Sequence, residues 1–158
     1  MIKFIVFLVI ALGLSIVKAD TISLDVYAMS KHNKGNFNET HKWRGVQYGF
    51  YKTDNLELSI HVAKFKNSRL VETEVVAIDV VSYPLNLRSL EIGAKVSIGV
   101  QRGYCFSKMR EVACDNPSNS FKPMALPSAS FRYKKVTLDV TVMPNVTTGM
   151  ISVEVLSW

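Results

Sequence analysis

Several features common in soluble domains are missing from this sequence. After its first 19 residues it has no helical periodicity, no internal repeat and no low-complexity segment. It also has no basic helix, zinc motif or aromatic RNA-binding motif, which excludes the common nucleic-acid-binding folds. The formal charge of +6 comes largely from loop-like segments, and in an exported protein such loops suit anionic lipid headgroups and phosphates. We therefore expect outer-membrane lipids, both phospholipid and lipopolysaccharide, as partners, and no nucleic acid.

Cysteine is scarce. The chain has two, Cys105 and Cys114, which are close in sequence, and in an oxidising compartment such a pair favours a disulfide that staples a loop. A metal site is the alternative, but it would need histidine partners. The three histidines lie elsewhere without ligand spacing. We therefore predict the disulfide, no metal site and no cofactor.

Long apolar runs are also scarce. The run over residues 4–17 falls short of the roughly 20 residues that a transmembrane helix needs. It follows Lys3 and precedes Val17-Lys18-Ala19, which is the basic, apolar, small-residue order of a secretory signal peptide. We predict cleavage after Ala19, with residues 1–19 as the signal peptide and residues 20–158 as one mature domain.

The sequence instead alternates apolar and polar residues, a pattern typical of half-buried β-strands. The alternation occurs in eight segments: residues 22–30, 44–51, 56–66, 74–83, 90–102, 124–133, 136–143 and 150–158. The connections between them alternate in length. The short ones are residues 52–55, 84–89 and 134–135, and the longer polar ones are residues 31–43, 67–73, 103–123 and 144–149.

This sorting of connections predicts the fold class. We expect an all-β, eight-stranded antiparallel transmembrane β-barrel with short periplasmic turns and longer extracellular loops. The expected location is the outer membrane of a Gram-negative-type cell, and the expected state is a monomer. A soluble lipocalin-like barrel would also alternate its connections, but it has no reason to sort them by length.

The strand faces support the membrane. Lys95 and Asp139 each lie opposite a face made only of apolar residues. Because a lysine at the midplane of the lipid face costs about 2–4 kcal/mol, we predict that both residues face the lumen, where they can pair. Glu57, Asp79 and Glu91 fall on the same inner face. A soluble β-sandwich would instead turn these charges outward.

Aromatic residues cluster near the predicted strand ends, where interfacial girdles form. Trp43 and Tyr83 are among them, and the chain ends in a strand on Trp158. If Trp158 faces lipid, strict alternation places Glu154 on the lipid face as well. A β-bulge in the last strand would remove this conflict.

Three stretches of the chain resemble the lipid A palmitoyltransferase family (PagP). The family's first loop and second strand are similar to residues 30–51, SKHNKGNFNETHKWRGVQYGFY. Its third strand, which ends in Phe-Lys-Asp-Ser, resembles residues 61–68, HVAKFKNS. Its sixth and seventh strands, with both of their prolines, resemble residues 124–145, MALPSASFRYKKVTLDVTVMPN.

The resemblance implies an eight-stranded outer-membrane barrel that transfers a palmitoyl chain from a phospholipid to lipid A. The implied catalytic residues are His32, which matches the family's loop-one histidine, and Asn67 and Ser68, which match its Asp-Ser pair. His32 would act as the base and Ser68 as its hydroxyl partner, with Asn67 orienting one of them. Pro127 and Pro144 match prolines that flank a lateral opening for lipid chains, and they form the predicted lipid gate.

The chain departs from the family in three ways. Asn67 replaces an aspartate, the first loop is shorter, and the mature chain starts directly in a strand instead of an amphipathic helix. The main rival interpretation is therefore a non-catalytic barrel that presents the Cys105–Cys114 loop to a partner, in a surface-masking or adhesion role. A soluble secreted lipid-binding barrel is a third interpretation. His41 and His61 are interpreted as structural or solvated.

Overall fold

The secondary structure is built from β-strands throughout the described chain. A computed structural model describes residues 20–33, 39–41, 43–103 and 120–158. The strands are β1 (Thr21–His32), β2 (Thr40–His41), β3 (Arg44–Lys52), β4 (Leu56–Lys66), β5 (Glu72–Leu87), β6 (Leu90–Arg102), β7 (Lys122–Tyr133), β8 (Val136–Met143) and β9 (Val146–Ser157). No helix among these residues is long and apolar enough to cross a membrane.

The strands form one closed antiparallel sheet. Strands β3 to β9 pair successively in chain order, and β9 returns to pair with β1 from Thr21↔Ser157 to His32↔Val146. The short β2 pairs with the outer part of β1, through Ala28↔His41, while β3 pairs with the first part of β1. Because β2 and β3 lie on the same side of β1, they act as one interrupted strand. The prediction of an eight-stranded antiparallel β-barrel is confirmed.

The two ends of the barrel differ in their connections. Residues 53–55, 88–89 and 134–135 make short turns at the end we call inner. Residues 33–39, 67–71 and 103–121 make longer connections at the opposite end, which we call outer. The prediction of a longer outer connection over residues 144–149 is wrong, because β9 already starts at Val146 and leaves only residues 144–145 as a turn.

Two of the register shifts in the sheet explain departures from the predicted strand pattern. In β5 the pairing with β6 skips between Ser82 and Leu85, so the strand runs past Pro84 instead of turning there as predicted. Proline cannot donate a ladder hydrogen bond, and a bulge is one of the positions in a sheet that tolerates it. In β9 the pairing with β1 shifts between Ile22↔Leu156 and Ser23↔Glu154.

The bulge in β9 settles the conflict between Trp158 and Glu154. It lets Glu154 line the lumen while Trp158 is 66% exposed on the outer surface. The Trp158 indole N–H donates to an Asp20 carboxylate oxygen at 3.1 Å, which ties the two ends of the described chain together.

The outer face is apolar and the lumen is polar, as a membrane barrel requires. The exposed large apolar side chains include Val46, Val62, Ile78 and Ile98, which lie around the barrel on β3 to β6. Asp79, Lys95 and Asp139 are buried in the lumen, which confirms their predicted inward orientation. The prediction that Trp43 and Tyr83 belong to an interfacial girdle is wrong. Both side chains pack inside the barrel, Trp43 against Phe65 and Tyr83 against Arg132.

Two predicted features lie outside the described residues. These are the signal peptide, residues 1–19, and the disulfide between Cys105 and Cys114. Both stay predictions.

Candidate functional site

A cluster of charged side chains crosses the middle of the lumen, and we call it the central charge cluster: Asp25, His61, Asp79, Lys95 and Asp139. Lys95 Nζ lies 2.8 Å from Asp79 and 2.9 Å from Asp139. The predicted pairing of Lys95 with Asp139 is confirmed. Charges this deeply buried require close partners, since an isolated ion away from water is very costly.

His61 links the two sides of this cluster. Its Nε2 lies 2.7 Å from Asp25 and its Nδ1 lies 3.6 Å from Asp79, so both ring nitrogens point towards carboxylate oxygens. Asp25 also accepts hydrogen bonds from the Trp43 indole at 2.7 Å and from Gln47 at 2.8 Å. The interpretation of His61 as structural agrees with this buried position.

A cavity of about 360 Å³ lies between the central charge cluster and the outer end of the barrel. We call it the lumenal cavity. Its floor includes His61, Lys95 and Asp139, and its upper rim includes Asn67 and Ser68. The walls are mainly apolar and rich in flexible thioethers: Trp43, Phe65, Val75, Met124, Leu126, Met143, Val146 and Met150. An apolar cavity of this size with a few polar groups is typical of a small-molecule site.

Trp43 and Phe65 stack against each other in the cavity wall. Their rings stack with centroids 3.8 Å apart and an interplanar angle of 18°. The Trp43 indole is held at its other end by Asp25, so its position depends on the central charge cluster. Trp43 therefore connects the apolar wall to the polar floor.

A second polar layer, the inner plug, closes the lumen below the cluster. Arg132 forms a bidentate pair with Glu57 and a further contact with Glu91 at 3.2 Å. Its guanidinium lies 4.5 Å from the centroid of the Tyr83 ring, and Lys52 contacts Glu57 at 2.6 Å. Only about 40 Å³ of space lies among these groups, enough for a water molecule or two.

Asn67 stabilises the outer corner after β4. Its side-chain oxygen accepts hydrogen bonds from the backbone N–H groups of Arg69 and Val71. Its side-chain nitrogen donates to the Thr73 hydroxyl at 3.0 Å and to the Gly103 carbonyl at 3.2 Å. With the residue 3% exposed, the amide is fully used by the fold, a role that Asn plays in many turns.

The structure brings His41, rather than His32, to the cavity. Among the described residues that line the cavity, His41, Asn67 and Ser68 occur together and His32 does not. His41 Nδ1 donates to the Lys66 carbonyl at 2.8 Å, because a carbonyl can only accept. In the neutral ring, Nε2 then accepts from the Ser30 hydroxyl at 2.9 Å.

Pro127 and Pro144 lie on either side of an unpaired stretch of sheet. The described pairing of β7 with β8 ends at Ala129↔Val140, although β7 continues outward and pairs with β6 through Val96↔Pro127. Pro144 is in the turn after β8. The Ser128 and Thr141 hydroxyls, 2.6 Å apart, bridge the two strands where backbone pairing has stopped.

Comparisons with known proteins support the fold. The N-terminal β-barrel domain of Pseudomonas aeruginosa OprF is similar in structure, with a TM-score of 0.58 and 13% identity, covering 90% of this chain and 98% of that one. The chain has the fold of an outer-membrane β-barrel. Ail, the attachment invasion locus protein of Yersinia pestis, aligns with a TM-score of 0.47 and 11% identity, over 90% of this chain and all of that one.

The sequence comparisons add no family. No protein-family model matches the chain, and no curated protein matches it. The resemblance to lipid A palmitoyltransferases implied an outer-membrane barrel, and the structural comparison supports that fold. Membership of the family itself gains no support.

Sequence reasoning missed His41, Trp43 and Asp25 as lumenal residues. Asp25 and His61 lie on the polar faces of alternating strands, and that signal could have placed them inside. No comparable signal exists for His41, because its strand has only two residues and its partners come from β1 and β4.

Proposed function

We propose that this protein is a non-catalytic outer-membrane barrel that binds a single hydrocarbon chain in the outer half of its lumen. The observation that carries the proposal is the lumenal cavity, with its apolar walls and its volume of about 360 Å³. An open pore fits poorly, because the central charge cluster and the inner plug fill the lumen below the cavity.

The geometry at the rim supports a binding role over a catalytic one. The Asn67 side-chain amide donates two hydrogen bonds and accepts two, all of them to groups of the protein itself. Asn67 is therefore poorly placed to orient a base. His32, the predicted base, is not among the described residues that line the cavity, whereas Ser68 is.

The binding proposal is tested with tryptophan fluorescence. The chain has two tryptophans, and Trp43 lines the cavity, so a Trp158→Phe barrel in lipid nanodiscs reports on the cavity alone. We expect decanol to change Trp43 emission in a saturable way. Ala28→Leu, which adds three carbons to a buried cavity position, should weaken binding roughly ten-fold, because overpacking costs about 1–3 kcal/mol.

Ala129→Leu is the matched control for this experiment. Ala129 is exposed and faces outward on β7, so the same added volume stays out of the cavity and decanol affinity should not change. The proposal fails if decanol gives no saturable signal, or if the two leucine variants bind equally well.

A second candidate function is acyl transfer to lipid A. The specific observation in its favour is the unpaired stretch between β7 and β8, bounded by Pro127 and Pro144, which is a suitable place for a lipid chain to enter. Mass spectrometry of lipid A from cells with and without the protein tests it. An added acyl mass that disappears in His32→Ala or Ser68→Ala would replace the binding proposal with this one, and unchanged lipid A under good expression would remove it.

A further inference from the structure

Cations collect on one side of the inner end of the barrel. Arg88 lies in the turn between β5 and β6, and Lys134 and Lys135 form the turn between β7 and β8. All three are exposed, and the ion pairs that the described chain forms at this end belong to the inner plug and include none of them. Asp20 and Asp54 lie on the opposite side, before β1 and in the turn between β3 and β4. The side formed by β5 to β8 therefore carries unpaired positive charge.

The backbone of the two turns disfavours these side chains. Arg88 has a φ of 60° and Lys134 a φ of 55°, and each is the first residue of a two-residue turn. This left-handed region favours glycine, because other L-residues crowd their own backbone there. Local conformation therefore gives no reason for a long cationic side chain at either position, and an unfavourable backbone conformation that is kept in a fold points to a functional constraint.

The lipid-facing surface next to these turns is apolar. Its outward-facing residues, which we call the inner collar, are Leu85, Leu87, Leu90, Tyr133 and Val136. Strand pairing places the last four of them in one row beside the turns. Lys134 and Lys135 also border the mouth of the lumen, together with Glu154, but the Lys134 Nζ lies 5.4 Å from the centroid of the Tyr133 ring. This ammonium group therefore lies at the edge of the apolar row.

We propose that the inner collar and the three cations form a binding site for a phospholipid with an anionic headgroup, in the leaflet at the inner end of the barrel. Neighbouring strands are about 4.8 Å apart, so the two turns are separated by about 10 Å, within reach of one headgroup for side chains as long as Arg88 and Lys134. The acyl chains pack against the collar, and the phosphate oxygens accept charge-assisted hydrogen bonds from the cations. A zwitterionic phospholipid binds more weakly, because its own cation compensates the phosphate. This site lies outside the lumen and goes beyond the proposed function.

Native mass spectrometry of the folded barrel in an uncharged detergent tests the proposal. The probes are phosphatidylglycerol and phosphatidylcholine with the same acyl chains, at equal concentrations. We expect phosphatidylglycerol to bind about ten-fold more tightly, since each cation near a membrane surface contributes to the attraction of anionic lipid. In Arg88→Gly combined with Lys134→Gly this ratio should fall towards one. Glycine suits a positive φ, so the variant should fold, which heat-modifiable gel mobility checks.

Lys66→Gln combined with Lys122→Gln is the matched control. These exposed lysines lie at the outer ends of β4 and β7, so the control removes the same net charge from the other end and should keep the ten-fold ratio. Equal binding of the two phospholipids by the unaltered barrel overturns the proposal, as does a ratio that survives in the glycine variant. An equal loss in both double variants would mean that net charge alone attracts the lipid, and this also overturns it. Displacement of phosphatidylglycerol by an equal concentration of inorganic phosphate would reveal an ion site without a lipid, with the same consequence.

Discussion

Replacing Lys95 with methionine should destabilise the barrel by about 3–5 kcal/mol, the usual cost of breaking a buried ion pair by removing one partner. Lys95 is 3% exposed and contacts two carboxylates within 3 Å. Its loss leaves Asp79 and Asp139 facing each other, with His61 as the remaining basic side chain of the central charge cluster. The free energy of unfolding, measured by urea titration of the barrel in detergent micelles, checks this value.

Lys64→Met is the matched control for this prediction. Lys64 lies on the outer rim and contacts Glu72 at 3.0 Å and Glu74 at 3.8 Å, with its side chain 54% exposed. Surface pairs of this kind contribute little to stability, so the same substitution should have little effect here. Lys95→Met combined with Asp139→Asn should recover part of the lost stability. Equal effects of the two lysine variants would contradict the central role of the cluster.

Asn67→Asp should cost about 3 kcal/mol of stability near neutral pH, because it places an unpaired carboxylate in a buried corner. The amide donates to the Gly103 carbonyl and to the Thr73 hydroxyl. An ionised carboxylate can donate to neither and would be repelled by the carbonyl. Urea unfolding measures the loss, and Asn55→Asp in an exposed inner turn serves as the control, with an expected change below about 0.5 kcal/mol.

The same substitution separates the two interpretations of Asn67. It restores the Asp-Ser pair of the lipid A palmitoyltransferases, so an enzyme limited by this residue would gain lipid A acylation. If Asn67 is a structural residue of the corner, the variant is less stable and lipid A stays unmodified. Mass spectrometry of lipid A, with the amount of folded barrel checked by gel mobility, distinguishes these results.

The strands were largely predictable from the sequence, and the reason is physical. In a membrane barrel one face of every strand meets lipid and the other meets the lumen, so a period of two is imposed along the whole strand. Lys95 and Asp139 were placed inside on that basis, and their pairing follows. The errors occur where a bulge or a tight turn breaks the period, as at Pro84 and at the start of β9.

The candidate site was less predictable, because alternation gives the face of a residue and not its height in the barrel. His32, Asn67 and Ser68 were expected together at the outer rim. The structure places Asn67 and Ser68 with His41 around the cavity and uses the Asn67 amide to hold the corner. His41 could not be found this way, since its contacts with Ser30 and Lys66 cross between strands.

By itself, then, the sequence determined the barrel, its strand order and which face of each strand is apolar, because these follow from local alternation and connection length. Only the tertiary structure decided which lumenal residues meet. Closure of the sheet brings together Arg132 and Glu57, which are 75 residues apart, and Lys95 and Asp139, which are 44 apart. The apolar cavity above a charged floor results from this closure, since the stagger between strands sets which side chains share a level.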